Sequence, residues 1–258
     1  MKSYQAYIFD LDGTVYLGGA LLPTAGETII ALRTRGARTL FLSNNPTHTR
    51  DEYAQKLTAL GLPTPVEDIV NSSLVMVDFL TRRMPGARLF VIGESPLCTE
   101  LVRAGFELTE NPRRVDAVIA SFDRTFMYRK LQTAFDAIRN GAQFFATNAD
   151  RYCPVPGGGE PDAAAIIAAI EACTNKKLDA MTGKPSPYMV EAILNLVSLP
   201  PQVCLMTGDR LETDVQMGLN AGMDAALTLT GATTRSDAHT SAIQPTYIIE
   251  NLGELLGE

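Results

Sequence analysis

Two aspartates separated by a single residue stand where the first apolar run of the chain, residues 7–9, ends. If the strand conformation continues past Asp10, side chains two positions apart face the same side, so Asp10 and Asp12 can act on one reacting centre. Gly13 allows a sharp turn, and Thr14 supplies a hydroxyl and an N–H group that can hold an anion. Such a carboxylate pair suits nucleophilic attack coupled to proton transfer, although a bare Asp-x-Asp is more often a solvated turn.

A second apolar run, residues 38–42, is followed by Ser43, Asn44 and Asn45. Open α/β sheets bind their ligands at the carboxyl ends of their strands, so these short polar side chains are candidates for ligand binding. Taken alone, Ser-Asn-Asn-Pro would be an ordinary Asx turn. The prediction therefore depends on the position of the segment after a strand.

Later in the chain, a lysine lies in a loop just before two proline residues. Lys184 is followed by Pro187 at the start of a helical pattern, and a proline at that position fixes the loop. The spacing of Met189, Ile193 and Leu196 predicts the buried face of this helix. Lys184 is therefore expected in a rigid loop.

Asp209 and Asp214 follow a further strand-like apolar run. Together with Asp10 and Asp12 they would converge at one sheet edge, where Lys184 is the only cation expected, because Arg210, between Asp209 and Asp214, is interpreted as solvated. Such a cluster requires a counter-ion. The candidate ligands are hard oxygens, with no histidine or cysteine in these segments, which indicates Mg²⁺.

These segments, in this order, resemble the four motifs of the haloacid dehalogenase (HAD) superfamily, most of whose members are phosphatases. Residues 10–15 match D-x-D-G-T-[VLI], Ser43 matches the second motif, residues 183–187 match G-K-P-x-P, and residues 208–214 match G-D-x-x-x-x-D. Any one motif would be weak, whereas four in family order are a strong joint signal. The resemblance covers nearly the whole chain.

The resemblance implies a role for each catalytic candidate. Asp10 would attack phosphorus to form an aspartyl-phosphate, and Asp12 would protonate the leaving oxygen and then activate the hydrolytic water. Lys184 would neutralise the nucleophile and the phosphoryl oxygens. Ser43 would donate a hydrogen bond to the phosphoryl group.

The resemblance also implies metal ligands and substrate contacts. The Mg²⁺ ligands would be the carboxylates of Asp10 and Asp209 and the backbone carbonyl of Asp12, while Asp214 would orient ligands or waters from outside that set. The candidate substrate-binding residues are Thr14, Asn44, Asn45, Asn148 and Asp150.

Strand-like and helix-like patterns alternate along almost the whole chain, which favours an α/β fold with a parallel sheet covered by helices. The resemblance implies a Rossmann-like three-layer HAD core. The motifs leave a long middle segment unused, which indicates a second domain inserted into the first. We place the core domain at residues 1–79 and 179–258, and the inserted α/β cap domain at residues 80–178.

Three segments of the inserted domain, residues 121–124, 128–131 and 146–150, resemble the class II subtype A cap of the NagD or 4-nitrophenylphosphatase-like group. A cap of this kind would close over the site, exclude water and contact the leaving group. We expect residues 147–156 to set specificity and the three glycines that follow to form a flexible turn. Cys153 stands about where some vitamin B6 phosphate phosphatases of this group have a histidine, which weakens the case for pyridoxal phosphate.

These observations predict a Mg²⁺-dependent phosphatase of small soluble phosphomonoesters, either sugar phosphates or nucleoside monophosphates. A phosphotransferase or phosphomutase, in which another hydroxyl replaces water, is an alternative on the same scaffold. A catalytically silent regulatory binding protein is disfavoured because all the motif residues are intact. Dehalogenation is disfavoured because a halide leaving group needs no acid such as Asp12.

The composition of the chain limits its partners. Its 258 residues are 46% apolar and carry a net charge of -7 without a run of Lys or Arg, which argues against nucleic acid or an anionic membrane surface. No run approaches the roughly 20 apolar residues of a membrane span, and no signal peptide precedes the first strand. We therefore expect a cytoplasmic enzyme that acts on a small phosphorylated metabolite, and we leave open a homodimer formed through the cap.

Overall fold

Strands and helices alternate along the chain in the computed structural model, which describes residues 1–155 and 157–257. Among the described residues, no helix is both long enough and apolar enough to cross a membrane. The strands are β1 (Ala6–Asp10), β2 (Tyr16–Leu17), β3 (Ala20–Leu21), β4 (Arg38–Ser43), β5 (Ile69–Asn71), β6 (Arg88–Ile92), β7 (Glu107–Leu108), β8 (Ala117–Ala120), β9 (Gln143–Ala146), β10 (Tyr152–Val155), β11 (Gly158–Pro161), β12 (Ala180–Met181), β13 (Cys204–Gly208), β14 (Asp224–Thr228) and β15 (Tyr247–Ile249). The helices are α1 (Ala25–Thr34), α2 (Arg50–Ala59), α3 (Ser72–Arg83), α4 (Ser95–Arg103), α5 (Tyr128–Arg139), α6 (Ala163–Thr174), α7 (Pro187–Val197), α8 (Gln216–Asn220) and α9 (Arg235–Thr240).

The chain forms two compact units. The first comprises residues 1–43, 50–70 and 184–258, and the second comprises residues 44–49 and 71–183. The second unit is thus mainly one long insertion between two parts of the first. The short segment that follows β4 belongs to it as well.

The first unit is built on a six-stranded sheet in the order β15-β14-β13-β1-β4-β5. β1 lies between β13 and β4 and pairs with both in parallel. All residues of β1 and β13 are buried, as expected of central strands in a parallel sheet that is covered on both faces. The strand order changes direction between β1 and β13, and open α/β sheets bind ligands at such a switch point.

The second unit has its own five-stranded sheet, in the order β12-β9-β8-β6-β7, with parallel pairing throughout. Its core contains buried apolar side chains of the strands, such as Phe90, Val118 and Phe144, together with Ala134 of α5 and Ile167 of α6. β10 and β11 form a separate antiparallel hairpin. The predicted α/β class with parallel sheets is therefore confirmed in both units.

Several local features differ from the expectations drawn from the sequence. The predicted domain boundary after residue 79 falls inside α3, whereas the boundary of the compact units lies just before this helix. Leu196 is 41% exposed and Val197 is buried in its place, because a helical face can continue at either the third or the fourth position. Two of the three glycines expected in a flexible turn lie in β11, where they pair with β10. Pro156 of the predicted specificity segment 147–156 lies outside the described residues.

Candidate active site

The carboxyl ends of β1 and β13 lie side by side, because the two strands pair in parallel. Asp10 is the last residue of β1, and Asp209 directly follows β13. Both carboxylates are buried, with Asp10 9% and Asp209 3% exposed. Two buried carboxylates at one sheet edge require positive charge nearby, because burial of an unpaired ion is costly.

Lys184 supplies positive charge at this edge. It is 3% exposed, and its Nζ donates to Oδ1 of Asp10 and, at 2.7 Å, to Oδ1 of Asp214. Burial disfavours the ammonium charge, but the carboxylates of Asp10 and Asp214 outweigh this effect and raise the pKa of Lys184. Burial also raises the pKa of Asp10 well above its usual range, and Lys184 offsets part of that increase. The loop that carries Lys184 is fixed at its end, because the Ser186 hydroxyl caps α7 by accepting from the N–H of Met189.

Asp214 is held as a partner of Lys184 by a distorted helical turn. It lies in a π-helical turn, Leu211–Val215, and is 1% exposed. Its Oδ2 accepts the N–H of Arg210 at 3.1 Å, while its Oδ1 accepts from Lys184. Both carboxylate oxygens of Asp214 are therefore engaged within the protein.

Asp209 differs from Asp214, because only one of its carboxylate oxygens accepts a hydrogen bond among the described residues. Its Oδ2 accepts the N–H of Ala232 at 2.6 Å, whereas its buried Oδ1 has no hydrogen-bond partner among the described residues. Burial, followed by the charge of Asp214, raises the pKa of Asp209 to about 6. An unpaired buried oxygen is unfavourable unless a cation or donor binds it.

The acidic cluster fits a divalent cation. One carboxylate oxygen from each of Asp10, Asp209 and Asp214 can be chosen so that the three lie within 4.8 Å of one another. Because both oxygens of Asp214 already accept hydrogen bonds, Asp10 and Asp209 are better suited as direct ligands. Hard carboxylate oxygens of this kind suit Mg²⁺ or Ca²⁺. In the described part of the chain the side chain of Asp12 is not in this group, so its backbone carbonyl is the atom to which the predicted ligand role applies.

The half-buried side chain of Asp12 lies beside a buried tyrosine. The Tyr16 hydroxyl donates to Oδ2 of Asp12 at 3.4 Å, and Nζ of Lys56 lies 3.6 Å from the centroid of the Tyr16 ring. Burial and the charge of Asp12 raise the pKa of Tyr16, so its hydroxyl remains a donor. Tyr16 is not among the residues predicted from the sequence, because a tyrosine after a strand is more often part of a core than of a site.

Two buried hydroxyl groups lie on segments next to Asp10: Thr14 follows β1, and Ser43 ends β4, which pairs with β1. The backbone turns after Asp12 through Gly13, whose φ of 86° is a conformation that favours glycine. Thr14 is then fully buried, and its Oγ1 has no partner in the part of the chain that the structure describes. Ser43, the last residue of β4, is 3% exposed, and its Oγ lies 3.0 Å from the Tyr53 hydroxyl. Both hydroxyls are of a type that can donate to a bound anion.

The other predicted site residues group together in the second unit. Oδ2 of Asp150 accepts from Nδ2 of Asn44 and from Nδ2 of Asn148, each at 3.2 Å. Nδ2 of Asn45 lies 3.6 Å from Sγ of Cys153. The structure therefore brings Asn44, Asn148 and Asp150 into one hydrogen-bonded cluster.

The segment that follows β14 was also missed. Oγ1 of Thr230 donates to the carbonyl of Gly13 at 2.6 Å, and the N–H of Ala232 donates to Asp209. The available signal was a polar run, Thr-Gly-Ala-Thr-Thr, directly after the mainly apolar residues 225–229, which is the arrangement that marked the other motifs. The contact with Asp209 is made by the backbone N–H of Ala232, so the type of residue at this position does not reveal it.

Two family models match the chain. One, described as haloacid dehalogenase-like hydrolase, matches residues 7–107, and the other, described as HAD-hydrolase-like, matches residues 181–255. An acid sugar phosphatase of Staphylococcus aureus (strain MRSA252) is 34% identical over 258 residues, which cover 100% of this chain and 99% of that protein. The predicted family resemblance is therefore confirmed.

Solved structures agree with this assignment. The 4-nitrophenylphosphatase of Thermotoga maritima superposes with a TM-score of 0.94 at 35% identity, over 99% of this chain and 97% of that one. The glycerol phosphate phosphatase of Mycobacterium tuberculosis, solved in complex with calcium, gives a TM-score of 0.89 at 30% identity, over 98% of this chain and 74% of that one. The chain thus belongs to the haloacid dehalogenase-like hydrolase family and is an enzyme of its phosphatase group, similar to the 4-nitrophenylphosphatases.

Proposed function

We propose that this enzyme is a Mg²⁺-dependent phosphatase that hydrolyses small phosphomonoesters, mainly sugar phosphates, through an aspartyl-phosphate intermediate. The observation that carries the proposal is the buried group of Asp10, Lys184 and Asp209, in which an ammonium group holds one carboxylate and the other keeps an oxygen without a partner among the described residues. The printed names of the relatives, which include acid sugar phosphatase and glycerol phosphate phosphatase, favour sugar and polyol phosphates over nucleoside monophosphates.

In the first step, a carboxylate oxygen of Asp10 attacks phosphorus, and the bond between phosphorus and the ester oxygen breaks. Asp12 gives its proton to the departing oxygen, which leaves as an alcohol. The Tyr16 hydroxyl donates to Oδ2 of Asp12 and would hold the side chain in position for this proton transfer. The step requires an ionised Asp10 and a protonated Asp12.

In the second step, Asp12 is a carboxylate and takes a proton from water, whose oxygen attacks the phosphorus of the aspartyl-phosphate. The bond between phosphorus and the Asp10 oxygen breaks, and inorganic phosphate leaves. Asp10 is again a carboxylate and Asp12 is again protonated, so the cycle closes. One side chain therefore serves as acid in the first displacement and as base in the second.

Three residues would hold the phosphoryl group during both steps. The ammonium of Lys184 offsets the charge of the nucleophile and of the phosphoryl oxygens, and Ser43 and Thr14 would donate hydrogen bonds from their hydroxyls. Support comes from the buried Oγ1 of Thr14, which has no partner among the described residues. These donors would orient phosphorus toward Asp10.

Asp10 and Asp209 would hold Mg²⁺ through carboxylate oxygens, and Asp12 through its backbone carbonyl. The bound ion would supply positive charge that stabilises the phosphoryl oxygens. The Oδ1 of Asp209, which has no hydrogen-bond partner in the described part of the chain, supports this assignment, and the hard oxygen donors favour Mg²⁺ over softer metals.

The proposal predicts that Asp10→Asn lowers the rate of 4-nitrophenyl phosphate hydrolysis by at least about a thousandfold, because the amide is a poor nucleophile. Removal of the metal with a chelator should lower the wild-type rate, and added Mg²⁺ should restore it. Asp51→Asn, the same change at an exposed position of α2, serves as the control. Equal rates for wild type and Asp10→Asn would refute the proposal.

We further propose that the second unit is a cap that selects the substrate, with Asn148 and Asp150 as binding residues. Their hydrogen-bonded cluster with Asn44 supports a fixed arrangement of polar groups. The cytoplasmic location and the homodimer remain predictions.

A further inference from the structure

The segment 228–233, from the end of β14 to the residue before α9's cap, contacts Asp209 through backbone groups. The N–H of Ala232 donates to Oδ2 of Asp209 at 2.6 Å, and the N–H of Thr233 donates to the backbone carbonyl of Asp209 at 3.2 Å. Side chain and main chain of Asp209 are thus held by consecutive residues of one segment. This leaves Oδ1 as the carboxylate oxygen without a partner among the described residues.

Gly231 brings the segment into close contact with the carboxylate. A Cβ placed on Gly231 would lie 2.5 Å from Cγ and 2.6 Å from Cβ of Asp209, and would collide with Oδ2 as well. The collision involves the base of the side chain as well as its tip, so rotation of the carboxylate alone does not relieve it. Any larger residue at position 231 must therefore displace either the segment or Asp209.

Thr230 connects the same segment to the loop that carries Asp12 and Thr14. Its Oγ1 donates to the carbonyl of Gly13 at 2.6 Å and lies 3.0 Å from Oγ1 of Thr228. Gly13 also packs against Asp209, since a Cβ on Gly13 would lie 2.7 Å from Oδ2 of Asp209. Movement of the loop that carries Gly13 would therefore displace the Asp209 carboxylate.

We propose that the segment 228–233 is a positioning element for the metal site, with Gly231 and Thr230 as its positioning residues. It fixes Asp209 with Oδ2 engaged by the protein and Oδ1 available to the divalent cation. This inference rests on the proposed role of Asp209 as a metal ligand. Gly231 and Thr230 would thus contribute to metal binding without contacting the ion themselves.

The physical reason is preorganisation. A carboxylate held by a backbone donor loses little conformational freedom when the cation binds, and partners that orient metal ligands typically contribute about 10–100-fold to metal affinity or activity. Gly231→Ala should shift Asp209, so the carboxylate would no longer be preorganised and the metal affinity should fall. Thr230→Val should release Gly13 while keeping the size of the side chain.

The test measures metal affinity directly. Binding of Mn²⁺, followed by the electron paramagnetic resonance signal of the free ion, and the rise in melting temperature caused by Mg²⁺ are compared among variants. Gly231→Ala should bind metal at least about tenfold more weakly than wild type. Gly19→Ala, the same change at an exposed position with open space around it, should stay within about twofold.

A second pair of variants keeps the test valid if Gly231→Ala does not fold. Thr230→Val should weaken Mn²⁺ binding several-fold, whereas Thr230→Ser keeps the hydroxyl and should bind within about twofold of wild type. Melting temperatures without metal show whether each variant is folded. A purely structural role for Thr230 would lower these melting temperatures without changing the metal affinity.

Asp209→Asn separates the two levels of the proposal. If wild type and Asp209→Asn bind metal equally, the proposed metal site is wrong. If Asp209→Asn loses binding but Gly231→Ala and Thr230→Val bind like wild type, the metal site stands and the positioning role of the segment is refuted.

Discussion

At the scale of single residues, charge balance explains the arrangement of the site. Lys184 is buried between Asp10 and Asp214, and its ammonium group donates hydrogen bonds to both carboxylates. Removing one partner of a buried ion pair leaves an uncompensated charge, which costs more than a surface pair contributes. Asp10, the proposed nucleophile, is therefore expected to contribute to stability as well as to catalysis.

The Lys184→Met variant should unfold more easily by about 3 kcal/mol, because Asp10 and Asp214 then lack their shared counter-ion. Denaturant unfolding without metal measures this loss. The double variant Lys184→Met with Asp214→Asn should recover part of the stability but none of the activity, since one of the two uncompensated carboxylates is removed. A single-variant loss below about 1 kcal/mol would show that the ion pairs are not stabilising.

Replacement of Asp12 tests its assignment as the acid. Asp12→Asn should lower kcat/KM for a sugar phosphate by about 10²–10⁴-fold, and should affect 4-nitrophenyl phosphate at least about tenfold less, because 4-nitrophenolate needs little protonation. The ratio kcat/KM is the appropriate measure because it reports on the first irreversible step. The same loss with both substrates would argue against an acid role.

At the scale of elements, three of the proposed core residues stand where strands end. Asp10 ends β1, Ser43 ends β4, and Asp209 follows β13, so parallel pairing gathers them without any long-range design of loops. This is why the sequence allowed these residues to be predicted as a group. The contacts of Ala232 were not predictable in the same way, since a backbone N–H is present in every residue except proline.

The hydrogen-bonded cluster of the second unit makes a separate prediction about specificity. Asp150→Asn replaces an acceptor that holds Asn44 and Asn148, and should lower kcat/KM for sugar phosphates about tenfold more than for 4-nitrophenyl phosphate. Asp136→Asn, at a partly exposed position of α5 where the carboxylate also accepts from a side-chain amide, is the matched control. A uniform effect on all substrates would mean that Asp150 does not contribute to selection.

At the scale of the whole molecule, the α/β class could be predicted because apolar strands alternate with helical patterns. The boundaries of the units were harder to predict, because no change of composition marks residue 71, just before α3, where the second unit resumes. The β10–β11 hairpin was missed for a related reason. Glycine is permissive in turns and strands alike, so only cross-strand pairing places Gly158 and Gly159 in a strand.

The amino-terminal segment provides a prediction about stability against pH. Burial opposes the charge of Asp224, but hydrogen bonds from Lys2 and Tyr4 outweigh this effect and lower the pKa of Asp224. Its stabilising contribution is therefore present above the unfolded pKa of about 3.9 and is lost as pH falls through the lower folded value. In denaturant titrations, wild type should exceed Asp224→Asn in stability at pH 7, and the difference should shrink below about pH 4. A difference independent of pH would contradict this assignment.

The covalent intermediate is the claim on which the mechanism depends. Rapid quenching during turnover of a radiolabelled phosphomonoester, followed by peptide mapping, should place the phosphoryl group on Asp10. The Asp12→Asn variant should accumulate more label with a reactive ester such as 4-nitrophenyl phosphate, because it lacks the base for the second step, and Asp10→Asn should carry none. Turnover by an enzyme that never carries label on Asp10 would contradict the mechanism.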